Sequence, residues 1–199
     1  MYSTRSGLIL GFHGTDKSIV KGVISGKKPL THRENAYDWL GHGLYFWEHS
    51  PSRALDFANL LQQNPTRSKI EIKTPAVLGA VINLGKCLDL TDFKNLQLLK
   101  LGFESIEKTL GGKYPVNKSV GGGKDLLLRE LDCLVIETLH RIVGQDTFDS
   151  VRGVFWEGDE LYPTAGFKEK NHIQICIRNP NCIKGYFQER DKTKGYKMV

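Results

Sequence analysis

The chain has 199 residues and a mass of 22.4 kDa, and at roughly 100–200 residues per domain this is one domain with a core of its own. Hydrophobic residues make up 40% and charged residues 25%, ordinary globular usage that excludes disordered, collagenous and low-complexity classes. Lys and Arg outnumber Asp and Glu 28 to 22, for a net charge of +6, and the surplus favours an acidic partner. The longest apolar stretch, Pro75 to Leu84, is about half of the roughly 20 residues that cross a bilayer. Met1 to Arg5 leads into no signal-type apolar region, so a cytoplasmic protein with no membrane contact is expected. Cys87, Cys133, Cys176 and Cys182 form no CxxC pair, which fits reduced thiols, and a disulfide between Cys176 and Cys182 is the minority reading.

In chain order, Gly7 to His13 is a short apolar run that predicts a strand opening into a loop at Gly14-Thr15. Asp16 offers an N-cap for a short helix through Val23. A second strand, Gly41 to Trp47, has glycines at its entrance. Ser50 then caps a helix with Pro51 at its first position, running to about Leu61. Ala76 to Leu84 and Cys87 to Leu90 read as strands, and Thr91-Asp92 caps a helix with Phe93, Leu96, Leu99 and Phe103 turned inward. Gly111-Gly112 and Gly121-Gly122-Gly123 bracket a flexible loop carrying Lys113, Lys118 and Lys124. Asp125 to Val143 has the strongest helical spacing, and Val151 to Trp156, His172 to Ile177 and Cys182 to Phe187 complete a β-rich end. The tail from Lys184 to Val199, five basic residues against two acidic ones, is expected to fray. No repeat or linker interrupts the pattern, so the expectation is one α+β domain over residues 1–199 with a helical segment at about 91–143.

Phe12-His13-Gly14-Thr15 and Gly43-Leu44-Tyr45-Phe46, the latter followed by Ser50-Pro51-Ser52-Arg53, carry the chemistry. A His at a strand end before a Gly puts a side-chain donor next to a backbone that a flat amide-bearing ligand can approach. Tyr45 on a neighbouring strand supplies a ring face, and Phe57 on the following helix closes the other side. Such a slot suits a nicotinamide or a base. His13 alone would as readily cap a strand end. Phe46 alone reads better as an ordinary strand aromatic, and Gly14 and Gly43 alone as turn residues.

Taken together, these motifs resemble the ADP-ribosyltransferases of the diphtheria-toxin and poly(ADP-ribose) polymerase type. Members of that superfamily carry a His in a first strand, a Tyr in a Gly-x-Tyr-Phe strand and a Glu in a late strand. The resemblance implies two packed β-sheets forming an NAD+ cleft, and mono-ADP-ribosyl transfer to a macromolecular acceptor. It implies that His13 bonds the adenosine-side ribose, that the Gly14 main chain holds the carboxamide, and that Tyr45 stacks on the ring. Thr15, Gly43, Phe46, Ser52 and Phe57 line the same site, with Asn35 and Arg33 reaching the cofactor from the loop before.

The departure is at the third position. Aligning Asn179-Pro180 with the usual Asp-Pro turn sets Gln174 where the Glu is expected. A carboxylate there would stabilise an oxocarbenium-like transition state, whereas Gln keeps a hydrogen bond and adds no charge. Three readings follow: transfer without the Glu, a carboxylate borrowed from Glu157 or Glu160 in the loop before that strand, or an inactive fold. Glu157 and Glu160 otherwise read as exposed loop decoration. His172, on the same strand face as Gln174, is a candidate acid or base toward the acceptor, set against a solvated-face reading for both. Nothing is spaced like a zinc site, and Gly121-Gly122-Gly123-Lys124 lacks the Gly-Lys-Ser/Thr of a phosphate loop. The acceptor is nucleic acid or protein, and an acidic antitoxin fits the same charge, as in a toxin–antitoxin or phage-defence effector. An NAD glycohydrolase and a non-catalytic module that binds NAD, ADP-ribose or nucleic acid are the alternatives.

Overall fold

The computed structural model describes residues 7–31, 34–68, 70–121, 123–189 and 194–195. Arg33, Gly122 and the end of the basic tail lie outside the described residues. The chain is α+β, in the order β1 (Ile9–Asp16), α1 (Lys17–Ile24), β2 (Leu44–Glu48), α2 (Pro51–Gln63), β3 (Pro75–Ile82), β4 (Cys87–Asp89), α3 (Phe93–Leu110), α4 (Glu130–Val143), β5 (Ser150–Phe155), β6 (His172–Ile177) and β7 (Ile183–Phe187). Short 3-10 turns at Pro65–Arg67 and Pro180–Cys182 complete it.

All seven strands join one sheet in the order β4-β5-β6-β2-β1-β3-β7, where two packed sheets were expected. Among the described strands only β4 and β5 pair in parallel. The sheet narrows at one place. β1 pairs with β3 along its whole length, from Ile9↔Ile82 to Asp16↔Pro75, but with β2 only at Gly11↔Glu48 and Phe12↔Trp47. Two strand blocks, β4-β5-β6-β2 and β1-β3-β7, are therefore held together by a two-residue ladder. Past Phe12 they part.

The strands read as apolar runs because both sheet faces are covered. One cluster joins Leu44, Phe46, Ala80, Ile82, Ile175 and Ile177. A second joins Leu40, Leu88, Val151, Phe155 and Cys176 to Ile136 and Leu139 of α4. Helix α2 reaches the sheet through Ala54, which packs with Phe12 and Trp47. That approach dictates a glycine in β1: a Cβ on Gly14 would stand 2.0 Å from the Ala54 carbonyl oxygen.

Helix α1 begins as expected, with the Asp16 side chain accepting from Ser18 N, and α2 has Pro51 in its first turn, although the Ser50 side chain makes no cap bond. Helix α4 starts at Glu130 and not at Asp125. Lys118 and Leu128 exchange two backbone hydrogen bonds, and the Asp125 carboxylate is taken by Gly158 N and Lys168 Nζ. Phe93 and Leu96 point outward, at 76% and 45% exposure, against the inward expectation. The four cysteines are buried and free, and among the described residues no helix is long and apolar enough to cross a membrane.

Candidate functional site

The site is built where β1 and β2 part. His13 is the first residue of β1 past the shared ladder, and its imidazole replaces the missing main-chain pairing, Nδ1 lying 2.8 Å from the Tyr45 carbonyl oxygen. A carbonyl only accepts, so Nδ1 carries the proton and the neutral ring keeps a bare lone pair on Nε2. Burial pushes the His13 pKa down, against the smaller upward effect of that hydrogen bond, which keeps the ring neutral at physiological pH.

Tyr45 follows β2's entrance turn and is locked by it. Its hydroxyl donates to the Gly41 carbonyl at 2.6 Å and accepts from Leu40 N at 2.7 Å. Burial holds the phenol well above its usual pKa. The hydroxyl is thus committed to the turn, and the ring is what Tyr45 offers a ligand.

An open cleft of ≈ 240 Å³ lies at the seam. His13, Gly14 and Thr15 form one wall, Gly43 and Tyr45 the second, and Phe57 of α2 the third. Asn35 also lines it, but its backbone N–H and side-chain amide both donate to the Asp38 carboxylate. That bond fixes the loop before β2.

Other expected residues stand elsewhere. Phe46 is fully buried in the core and is not a cleft residue: neighbours along a strand face opposite ways, so Tyr45 at the cleft turns Phe46 inward. Ser52 is exposed on the first turn of α2 and is not among the residues lining the cleft. The glycines answer to packing more than to a ligand, since a Cβ on Gly43 would stand 2.5 Å from both Cys176 Sγ and the Ile177 carbonyl oxygen.

Gln174 is half-buried on β6, paired with Trp47 of β2 on one side and Gly153 of β5 on the other. It does not line the cleft. The path between them runs through Phe57, whose ring centroid is 5.1 Å from that of Trp47.

Glu157 is not loose loop decoration. Its Oε2 takes a hydrogen bond from Arg53 Nη2 at 2.7 Å, with side chains only 15% and 10% exposed. His172 belongs to the same cluster, its Nδ1 lying 4.0 Å from Glu157 Oε2 and donating to the Lys170 carbonyl at 2.6 Å, and burial pushes its pKa down. The solvated-face reading fails for His172, which is buried. Glu160 stands apart, exposed, accepting from Thr164 N.

Trp47, at the end of the second predicted strand, and Arg53, in the motif behind it, were given no site role by the sequence. The guanidinium of Arg53 sits 5.5 Å from the Trp47 ring centroid. The signal for Trp47 was strand period two, which places it on the face of Tyr45.

No family model matches the chain, and no curated protein does. Among solved structures, one described as the crystal structure of an anti-CRISPR protein is 11% identical over 87% of this chain and 93% of its own, with a TM-score of 0.35. A likeness that slight carries no argument.

Proposed function

We propose that this chain binds NAD+ in the seam cleft and transfers its ADP-ribose to a macromolecular acceptor, as a mono-ADP-ribosyltransferase with the corresponding fold. The observation that carries this reading is the His13–Tyr45 bridge. The two residues singled out by separate motifs, 32 positions apart, hydrogen-bond to each other just past the two residue pairs that join β1 to β2.

The residues fit the substrate piece by piece. His13 Nε2 is a lone acceptor, matched to a ribose hydroxyl. The Tyr45 and Phe57 rings are walls for a flat aromatic ring. The ≈ 240 Å³ cleft falls below the roughly 300–1,000 Å³ of a pocket that encloses a whole ligand, so it takes the nicotinamide riboside end, with the adenosine end over the open rim. Cleavage develops positive charge on the ribose, and here Gln174 is uncharged while Glu157 is neutralised by Arg53. Electrostatic help is therefore modest, which favours single transfer over chain elongation.

A basic chain suits an acidic acceptor, nucleic acid or protein, as expected of an intracellular toxin or phage-defence effector. The test is incubation with adenine-labelled NAD+ and a cell extract, followed by separate nuclease and protease digestion, with His13→Ala and Gln174→Ala alongside. Label that survives protease but not nuclease identifies a nucleic-acid acceptor; the reverse identifies a protein. Nicotinamide release that needs no macromolecule would make the chain a glycohydrolase. Binding of NAD+ with neither label transfer nor release would make it a binding module.

A further inference from the structure

The seam cleft reaches past the residues that the motifs named. Arg67 and Ser68 also line it, at the end of the 3-10 turn Pro65–Arg67 that follows α2. The fold brings this turn to the far end of β1. Gln62, in the last turn of α2, donates from Nε2 to the Lys73 carbonyl at 2.9 Å, and Lys73 N and Thr74 N donate to the carboxylate of Asp16, the last residue of β1. These bonds set the turn beside Thr15, so the cleft runs along His13, Gly14 and Thr15 from Tyr45 at one end to Arg67 at the other.

Among the described residues Arg67 is the one Lys or Arg in that lining. It is exposed, and its guanidinium gives no hydrogen bond or ion pair to a described residue, whereas Arg53, Arg129, Arg152 and Arg178 each pair with a carboxylate. The Ser68 hydroxyl oxygen accepts from Ile70 N at 3.1 Å and keeps its proton to donate. A free guanidinium fork beside a hydroxyl donor matches phosphate oxygens. The opposite pole is Asp38, which lines the cleft two residues before Leu40, whose N–H bonds the Tyr45 hydroxyl. Burial pushes the Asp38 pKa up, and the two bonds from Asn35 oppose that rise. A carboxylate at the Tyr45 end and a guanidinium at the Thr15 end suit a ligand that carries a cationic ring and an anionic diphosphate.

We propose that Arg67, with the Ser68 hydroxyl, binds the diphosphate of NAD+ and so sets the direction of the dinucleotide, its nicotinamide ring against Tyr45 and its diphosphate at the Thr15 end. The inference rests on the NAD+ reading above and deepens it with a binding residue that no motif named. The cleft, at ≈ 240 Å³, holds the nicotinamide riboside end, and the diphosphate is the next group out. Arg67 lines the mouth through which it leaves. Because the contact is an exposed charge on a charge, salt screens it. The stacking of the ring on Tyr45 and Phe57 is indifferent to salt, so the two parts of the ligand can be read separately.

The experiment uses the purified full chain and calorimetric titration with the carbocyclic analogues of NAD+ and of nicotinamide riboside, which share the ring and resist cleavage of the bond to nicotinamide. Each is titrated at about 50 mM and about 500 mM salt into the parent, Arg67→Gln and Arg67→Lys, with a melting curve for every protein. Arg67→Gln is expected to weaken the dinucleotide about tenfold and to leave the riboside within about twofold. Arg67→Lys, which keeps the charge without the fork, is expected to weaken it about threefold. High salt should loosen the dinucleotide from the parent and barely affect its binding to Arg67→Gln, with melting preserved because the side chain is exposed. Unchanged dinucleotide affinity in Arg67→Gln, or an equal loss for both ligands, overturns the diphosphate assignment and leaves the NAD+ reading standing. An Arg67→Gln protein that keeps the salt dependence of the parent overturns it equally, whether or not the riboside binds tightly enough to titrate. A parent that binds neither ligand overturns the NAD+ reading itself.

Discussion

Gly14→Ala separates two explanations of the glycine that follows His13. A ligand approaching the backbone would require the missing side chain for access, whereas the structure places α2 there. The new Cβ would stand 2.0 Å from the Ala54 carbonyl oxygen and 2.9 Å from its carbon. Comfortable non-bonded separations begin at about 3.5 Å, so the gap is short by roughly 1.5 Å. A helix carbonyl cannot rotate aside as a flexible side chain does, and α2 as a whole must move off β1. Overpacking of this kind costs about 1–3 kcal/mol, and a backbone clash belongs at the top of that range. At about 2–4 °C per kcal/mol for a chain of this size, the melting midpoint should drop by roughly 6–12 °C. Thermal unfolding followed by circular dichroism, with urea unfolding as a second measure, reads the effect. A Gly14→Ala protein that melts within 2 °C of the parent while losing NAD+ binding would refute the packing argument and return the glycine to the ligand.

Three further substitutions test the scaffold. Asp16 caps α1 and also accepts from Lys73 N and Thr74 N, and hydrogen bonds from Ser18 and then from the Thr74 backbone hold its pKa at about 2. A carboxylate lowered in the folded state stabilises above its unfolded pKa, near 3.9, and that contribution disappears as pH falls through about 2; urea titrations between pH 5 and pH 2 should therefore show a smaller loss in Asp16→Asn than in the parent. His140 is fully buried, with Nε2 unpartnered, and burial lowers its pKa. Its unfolded form takes up a proton near pH 6.5, so folded stability falls as pH drops below that point; His140→Leu should flatten the decline between pH 6.5 and pH 5 and stay within about 1 kcal/mol of the parent at pH 7.5. Arg152, 4% exposed, holds both Glu48 and Asp89, and Arg152→Ala should cost about 3 kcal/mol in urea unfolding, because it removes the buried cation between two half-buried carboxylates.

The sequence patterns that proved legible were the local ones. β6 spans His172–Ile177, as its apolar run predicts, and Asp16 and Asp92 cap the helices they precede, because caps and periodicity act within a few residues. The start of α4 was hidden. The apolar spacing continues back past Glu130, while Asp125 is held by Gly158 and Lys168, 33 and 43 positions away. The outward turn of Phe93 could not be read either, since it depends on which face of α3 meets α4, whose Val135 carbonyl would stand 2.5 Å from a Cβ on Gly102. In the site, the motifs named His13 and Tyr45, and the structure joins them. Register decides the rest: only the pairing Trp47↔Gln174 shows that a tryptophan lies beside Gln174, and only the long-range Arg53–Glu157 pair shows that the loop carboxylate is spoken for.

His13 does two jobs with two nitrogens, and the two can be separated. Nδ1 supplies the Tyr45 carbonyl with the hydrogen bond that a backbone N–H would give if the ladder continued, and Nε2, which takes no part in that bond, is the atom the proposed function assigns to the ligand. His13→Ala removes both, and the unpaired part-buried carbonyl alone costs about 1–3 kcal/mol, so lost activity in that variant mixes folding with chemistry. His13→Asn places an amide N–H near the position of Nδ1 and nothing at Nε2. Its melting midpoint should stay within about 4 °C of the parent, about 1 kcal/mol for a chain of this size, while NAD+ affinity, measured by calorimetry, should weaken roughly tenfold, the worth of one hydrogen bond. Unchanged affinity in a folded His13→Asn protein would show that the bridge is structural only. The seam would then be a weak point of the sheet held by an imidazole, and the cleft beside it would have no ribose acceptor at its first position.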